Sequence, residues 1–384
     1  MQAASAINRS HTAYDVVVIT LADLRTDART MNIANALACS GLRVCALAPD
    51  WAERTTFPGI DTVYIATPRT GRLWKKWLAF TKAAMQAGSE LGAKVLWAAD
   101  LYSLKAAANL AALQRVRLIY DAREIYSALG PLHKHPFKQS LLSWHERRYA
   151  RRADTITVSG ELDAEYLRQH LRRNEKPSVI MNVPPYSEPK RSNALRERFA
   201  IPAGNPVAVY QGVLLEGRGI EPVIEALAFA PDLHFCIIGD GPHGERLRAL
   251  AQRSPSAQRI HFLGAVPYSE LLSWTASADT GVCFIEPVSF SYSLALPNKL
   301  FEYAMARIPC VVSDLPAMRR IIGDYPFGEL IATDASPETI AIHLMKTART
   351  KDAYTAAADR AARTFNREAQ DDIIRSIISL VLRT

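Results

Sequence analysis

Short apolar runs alternate with segments of helical periodicity along nearly the whole chain. Such alternation is typical of parallel sheets whose strands are connected by helices. The runs that predict strands are Asp15–Leu21, Arg43–Ala48, Lys94–Asp100, Arg117–Asp121, Thr155–Ser159, Ser178–Asn182, Val207–Gly212, Thr280–Pro287 and Cys310–Ser313. In addition, residues 234–242 predict a strand followed by a tight turn, and residues 260–267 predict a strand followed by a loop. The pattern therefore predicts an α/β protein, which would bind its ligands at the carboxyl ends of the strands.

A segment rich in proline and charge divides this pattern in two. It covers residues 183–193, and the apolar pattern restarts after it at Val207. A chain of 384 residues is long enough for two domains with separate cores. We therefore expect an N-terminal domain over 1–182, a linker over 183–193 and a C-terminal domain over 194–365.

Composition narrows the classes of function. The net charge of +8 suits polyanionic partners such as nucleotide diphosphates and anionic lipid surfaces, and no nucleic-acid motif is present. The five scattered cysteines lack metal-ligand spacing and are expected to be reduced packing residues. Residues 1–13 resemble neither a signal peptide nor a membrane anchor, and no apolar window is long enough for a transmembrane helix. We expect a cytoplasmic protein that binds no metal.

The stretch 292–314, YSLALPNKLFEYAMARIPCVVSD, carries the strongest chemical signal. Asn298 is a suitable N-cap for a helix that continues to Arg307, and it places Lys299 and Glu302 on one side of the first turn. A lysine at a helix N-terminus is unfavourable unless an anion binds beside it, and a carboxylate can accept two sugar hydroxyls. The pattern therefore predicts a nucleotide-sugar site; the alternative is an amphipathic core helix with two solvated charges.

The run PNKLFEY at 297–303 resembles the C-terminal signature of family-four glycosyltransferases, and the resemblance extends from about Tyr14 to the last helix. It implies the GT-B fold, in which two Rossmann-like domains face each other across a cleft and the last helix, 366–384 here, crosses back to the N-terminal domain. It also implies a transferase that moves a sugar, with retention and without a metal, from a UDP- or GDP-linked donor. The acceptor would be a hydroxyl of a glycan, a lipid-linked molecule or a small molecule, as in polysaccharide biosynthesis.

The resemblance assigns the donor to the C-terminal domain. The implied donor-binding residues are Gly212, Arg218, Gly239, Gly241, Leu263, Gly264, Val266, Pro297, Asn298, Lys299, Leu300 and Glu302. Glu302 would hold the ribose, while Arg218 and Lys299 would neutralise the diphosphate. The alternative is that Arg218 pairs with Glu216 or Glu221 and that Lys299 only tethers a loop.

On the N-terminal domain, the resemblance assigns Asp27, Arg29, Asp121 and Arg123 to the acceptor side, with Arg123 and Glu124 as catalytic candidates beside Arg218 and Lys299. Relatives often carry a histidine at the position of Arg123. Because arginine cannot act as a general base at ordinary pH, any role of Arg123 is electrostatic. For Asp27 and Arg29, the alternative is a charged first helical turn.

Besides Arg123, three positions depart from the family pattern. Leu294 replaces the first of two paired glutamates, Val213 replaces an arginine that contacts the diphosphate, and Arg307 replaces a glycine. Because of Leu294, Val213 and Arg123, a non-catalytic scaffold subunit remains an alternative. A GT-B sugar-nucleotide epimerase or hydrolase is the other alternative.

Residues 71–80, GRLWKKWLAF, predict a basic amphipathic helix that continues to Leu91. Trp74, Lys75, Lys76 and Trp77 fit a peripheral contact with an anionic membrane at its inner face. An ordinary surface helix with one buried face is the alternative. A second basic helix is expected over 144–154, where Glu146 matches a family glutamate or pairs with nearby arginines.

Overall fold

The computed structural model describes residues 13–51, 53–129 and 135–383. The expectation that the N-terminus forms neither a signal peptide nor a membrane anchor falls almost wholly on residues 1–12, which lie outside the described residues. Within the described part of the chain, no helix combines the length and the apolar character that crossing a membrane requires.

The described chain divides into two compact units. Of the described residues, the first unit contains 13–51, 53–127, 135–181 and 370–383, and the second contains 128–129 and 182–369.

The first unit is a seven-stranded parallel sheet covered by helices. Its strands are β1 (Ala13–Ile19), β2 (Val44–Pro49), β3 (Ile60–Ile65), β4 (Gly92–Ala98), β5 (Arg117–Ala122), β6 (Thr155–Val158) and β7 (Ser178–Val179). The helices between them are α1 (Ala28–Cys39), α2 (Leu73–Ser89), α3 (Leu101–Gln114), α4 (Pro136–Ala150) and α5 (Glu161–His170). The strand order is β3-β2-β1-β4-β5-β6-β7. Successive strands are therefore added on one side of β1 up to β3 and on the other side from β4 onward, so the strand order reverses between β1 and β4.

The second unit repeats this plan with six parallel strands. They are β8 (Val207–Gln211), β9 (His234–Ile238), β10 (Ile260–Gly264), β11 (Thr280–Cys283), β12 (Cys310–Ser313) and β13 (Gly328–Ile331), in the order β10-β9-β8-β11-β12-β13. Its helices are α6 (Ala194–Phe199), α7 (Ile220–Ala226), α8 (Gly244–Arg253), α9 (Tyr268–Ala276), α10 (Phe290–Ser293), α11 (Asn298–Met305), α12 (Pro316–Asp324), α13 (Pro337–Arg349) and α14 (Thr355–Thr364). The strand order reverses between β8 and β11, and α/β sheets bind ligands at such a reversal point.

The last helix, α15 (Arg367–Arg383), packs on the first unit. Its buried residues Ile374, Ile377, Ile378 and Val381 share a core with residues of β1, β2, β4 and β5. These are the apolar positions of the helical stripe in the sequence, so the expected return of the last helix to the N-terminal sheet is confirmed.

Two strands are absent from the sequence-based prediction. β3 is an edge strand with only its two end residues buried, and β13 is an edge strand of four residues inserted where only helices were expected. Edge strands are short and partly polar, so they lack the apolar run on which the prediction relied. The strand predicted over Thr280–Pro287 ends at Cys283, because the chain then turns and Glu286 N–H donates to Gly217 O (3.0 Å).

The predicted ends of helix α11 are wrong. Pro297, with φ −75° and ψ 142°, is the N-cap residue, and the helix begins at Asn298. No side chain forms a capping hydrogen bond at this end of the helix. The helix stops at Met305 because Arg307 adopts φ 56°, a left-handed conformation that glycine usually supplies at this point. Arg307 is held there by Asp359 and by the carbonyl of Met305.

Candidate functional site

Helix α11 is fixed across the reversal point of the second sheet by Tyr303. The Tyr303 hydroxyl donates to the carbonyl of Val209 in β8 (3.1 Å) or of Val282 in β11 (2.9 Å). The ring lies against Gly281, where an added Cβ would come within 2.5 Å of it. Because Tyr303 is fully buried, the turn of helix before it has a defined position at the carboxyl edge of both strands.

Lys299 lies in the first turn of α11, and its amine is located at the carboxyl edge of β8 and β11. The side chain is buried, and Nζ lies 3.5 Å from the centroid of the Tyr210 ring at the end of β8. Within the described residues Nζ has no hydrogen-bond partner. Burial, together with a smaller effect of the charge of Arg218, lowers the pKa of Lys299 to about 7. A buried amine without an ion-pair partner favours binding of an anionic ligand beside it.

Arg218 is the second cation at this edge. It precedes Gly219, the N-cap residue of α7, and its guanidinium lies 5.0 Å from the centroid of the Tyr292 ring. In the described part of the chain Arg218 forms no ion pair, so the proposed pairing with Glu216 or Glu221 is not observed. Two cations that repel each other and lack a shared carboxylate favour binding of a phosphate group.

Glu302 is oriented by a relay of two polar side chains. Gln211 Nε2 donates to Glu302 Oε2, and Thr275 Oγ1 donates to Gln211 Oε1, which fixes the amide orientation. Burial raises the pKa of Glu302, while the Gln211 hydrogen bond and Lys299 act in the opposite direction. Its other carboxylate oxygen, Oε1, can accept hydroxyl groups. The sequence analysis did not include Gln211 and Thr275, because their partners lie far away in the chain.

Glycine loops close the same edge where β8, β9 and β10 end. Gly212 N–H donates to Ile238 O (3.0 Å), and Gly239 N–H donates to Gly264 O (2.8 Å). A Cβ on Gly239 would lie 2.0 Å from Gly212 O, and one on Gly241 would lie 2.5 Å from Leu214 O. Glycine is therefore required at these two positions for the loops to approach each other.

The remaining residues of the predicted donor set fall into two groups. Leu263, Val266, Pro297 and Asn298 are partly or fully exposed around this edge, whereas Leu300 is buried in the core. Val213, at the position where relatives have an arginine, is exposed. Its carbonyl accepts a hydrogen bond from Tyr210 (3.0 Å), so the backbone of Val213 helps to hold the ring under Lys299.

In the first unit, Arg29 and Asp121 form a buried bidentate ion pair. Arg29 Nε and Nη2 donate to the two carboxylate oxygens of Asp121 at 2.8 and 2.7 Å, and Thr157 donates to the same carboxylate (2.8 Å). Burial alone would raise the pKa of Asp121, but the charge and hydrogen bonds of Arg29 keep it below its usual value. This ion pair connects the first turn of α1 to the end of β5.

The other two residues predicted on the acceptor side lie beside this pair. Asp27 is the N-cap of α1, and Arg123 Nη1 donates to Asp27 (2.7 Å) while Nη2 donates to Thr30 (2.7 Å). Asp100, which follows β4, is not among the site residues predicted from the sequence. It is buried and accepts hydrogen bonds from Leu21 N–H (3.2 Å) and Ser103 N–H (2.7 Å). A carboxylate directly after a buried strand was the available signal. All four predicted residues therefore meet at one sheet edge, largely bound to one another.

One further pocket, of about 300 Å³, lies elsewhere on the second unit. Its cations include Arg196, Arg307 and Lys351, and each of these three is paired with an aspartate, Asp279 or Asp359. It therefore lacks the uncompensated charge found at Lys299.

Two family models match the chain. Residues 26–182 match the model described as "Glycosyl transferase 4-like domain", and residues 191–364 match "Glycosyl transferases group 1". The two matched segments correspond to the two parallel sheets, and each sheet has the Rossmann-like strand order of GT-B enzymes. The chain belongs to the GT-B glycosyltransferases.

Individual relatives are more distant. A 2-deoxystreptamine N-acetyl-D-glucosaminyltransferase of Streptomyces fradiae is 26% identical over 136 residues, which are 34% of this chain and 31% of that protein. The lipopolysaccharide core biosynthesis glycosyltransferase LpsE of Rhizobium meliloti is 30% identical over 141 residues, which are 36% of this chain and 40% of that protein. The matched region thus spans well under half of either relative.

Among solved structures, the Anabaena protein HepE in complex with UDP-glucose superimposes with a TM-score of 0.74. The sequence identity is 16%, and the match covers 95% of this chain and 99% of that one. At this identity the likeness establishes the fold.

Proposed function

We propose that the chain transfers a sugar from a nucleotide diphospho-sugar, UDP- or GDP-linked, to a hydroxyl of its acceptor. The observation that carries the proposal is the buried amine of Lys299, which lies at the reversal point of the second sheet without a hydrogen-bond partner in the described residues. The HepE complex with UDP-glucose, on the same fold, supports a nucleotide-sugar as donor.

Each part of the donor has a matching group. The diphosphate would lie between Lys299 and Arg218, near the closely packed glycine loops, and Glu302 would accept the ribose hydroxyls. As the bond between the sugar and the diphosphate breaks, negative charge grows on the phosphate, and the two fixed cations stabilise it. In this proposal they take the place of a metal ion.

On the acceptor side, we assign to Arg123 an electrostatic role, because Asp27 and Thr30 hold its guanidinium in place. Glu124, which is exposed two residues after β5, is a catalytic candidate in this proposal. Retention of the anomeric configuration is part of the proposal on the basis of the family. The name of LpsE, a lipopolysaccharide core biosynthesis glycosyltransferase, supports a glycan or lipid-linked acceptor. A location at the inner face of a cytoplasmic membrane is part of the proposal.

Turnover of UDP- and GDP-sugars with candidate acceptors tests this function. Replacing Lys299 or Arg218 with alanine should lower turnover at saturating donor about ten- to a thousandfold. The two losses should be less than additive, since both cations serve one diphosphate. Arg246→Ala, which removes an exposed cation of the same unit, is the matched control and should be neutral.

Two outcomes would contradict the transferase proposal, and a third would contradict the role of Lys299 and Arg218. Consumption of donor at the same rate without any acceptor would favour an epimerase or hydrolase. Absence of nucleotide binding would favour a scaffold. Lower melting temperature with normal specific activity in both alanine variants would mean that the two cations are only structural.

A further inference from the structure

Helices α2 and α4 of the first unit expose large apolar side chains. On α4, Phe137 is 81% exposed and Trp144 is 60% exposed, and Leu141 is exposed between them. Their spacing of four and three residues places them on one side of the helix. On α2, Trp74 is 56% exposed and Leu78, four residues later, is also exposed.

Trp77 has a different role from the one that the sequence predicts for it. Its indole N–H donates to the carbonyl of Tyr102 in α3 (2.7 Å), and its ring packs edge-on against His145 of α4, with centroids 4.5 Å apart. Trp77 is therefore a packing residue that connects α2 to its neighbours. The same contact brings α2 and α4 together, so their exposed apolar residues belong to one region of the unit.

The exposed charge of both helices is positive. Between Leu73 and Ser89 there is no acidic residue, and between Pro136 and Ala150 the only one is Glu146. Glu146 is buried and accepts a hydrogen bond from Tyr120 (2.7 Å), so it does not compensate the surface cations. Those cations are Lys75, Lys76, Lys82, Lys138, Arg147 and Arg148.

We infer that α2 and α4 form a docking surface for an anionic lipid membrane, with Trp74, Phe137, Leu141 and Trp144 at the level of the headgroups. Exposed tryptophan, aromatic and leucine side chains among lysines and arginines are the composition that partitions into the interface of an anionic bilayer. The surface has a purpose only if the proposed function holds and the acceptor is lipid-linked. Its binding to lipid, however, requires neither donor nor acceptor.

Vesicle sedimentation tests the inference directly. The wild type should bind vesicles of equal parts phosphatidylcholine and phosphatidylglycerol, should bind vesicles of phosphatidylcholine alone at least tenfold more weakly, and should dissociate at high salt. The double variant Phe137→Ser/Trp144→Ser should lose at least tenfold in partitioning to the anionic vesicles. Phe229→Ser, which removes an exposed aromatic side chain from the second unit, is the matched control and should bind like the wild type.

A charge reversal gives an independent variant. Lys75→Glu/Lys138→Glu should weaken binding to anionic vesicles, whereas Arg246→Glu in the second unit should not. Equal binding of wild type and both α2/α4 variants, or no binding of the wild type to anionic vesicles, would overturn the inference. Nucleotide affinity of each variant, measured without lipid, separates this failure from failure of the donor site, because the substituted residues lie in the other unit.

Discussion

The amine of Lys299 lies 3.5 Å from the centroid of the Tyr210 ring, and the negative face of the ring attracts the charged amine. Burial opposes the charged form and lowers the pKa of Lys299 to about 7, and the nearby charge of Arg218 acts in the same direction. An anion bound between the two side chains would favour the protonated amine. The ligand-free geometry therefore leaves Lys299 ready to gain a proton together with its ligand.

The first prediction concerns the ribose contact. Glu302→Gln should weaken binding of a nucleoside diphosphate about ten- to a hundredfold, because an amide accepts hydroxyl groups less strongly than a carboxylate. Gln211→Leu should give a smaller loss, since it removes the group that orients Glu302 without removing the acceptor. Calorimetric titration measures both.

A nucleotide that lacks the ribose hydroxyls is the control for this role. Both variants should bind a 2′,3′-dideoxynucleoside diphosphate with the affinity of the wild type. If the variants lose equal affinity for the normal and dideoxy ligands, the side chains support the fold of the site and do not contact the ribose.

The second prediction concerns the pair formed by Arg29 and Asp121. Asp121→Asn leaves the Arg29 guanidinium buried without its counter-charge, which should cost about 3–5 kcal/mol of unfolding free energy. Denaturant unfolding measures this loss, and Arg29→Met/Asp121→Leu should recover part of it. A stability equal to that of the wild type would contradict a structural role of the ion pair.

The third prediction follows from Glu146. Burial raises the pKa of its carboxyl to about 7, above the value of 4.5 for a free side chain, and the folded state therefore holds a proton that the unfolded state releases. This contribution to stability is present below about pH 4.5 and is lost as the pH rises through about 7. Relative to Glu146→Gln, the wild type should lose about 1–3 kcal/mol of unfolding free energy between about pH 5 and pH 8. If the unfolding free energies of the wild type and Glu146→Gln change with pH in the same way, the raised pKa of Glu146 is contradicted.

The strand and helix pattern could be predicted from the sequence because the strands of parallel sheets are buried and apolar on both faces. Lys299 and Glu302 could also be identified from the sequence, because both lie in one short helix within the run PNKLFEY at 297–303. Local sequence did not reveal Gln211, Thr275 or Asp100, because their roles arise when distant strands end at one edge. Trp77 and Trp74 looked equivalent in the sequence, and only the packing against Tyr102 and His145 separates them.

The most direct test of the donor site is calorimetric titration of the wild type and Lys299→Met with UDP and GDP, in buffers of different ionisation enthalpy. At about pH 8 the free amine is largely neutral, so binding to the wild type should take up close to one proton, and this uptake should fall toward zero near pH 6. The affinity of the wild type should weaken as the pH rises above about 7. Lys299→Met should bind at least tenfold more weakly and show no proton uptake. Equal affinity of the two proteins would contradict a diphosphate at Lys299, and binding without proton uptake at about pH 8 would contradict a neutral amine in the free protein.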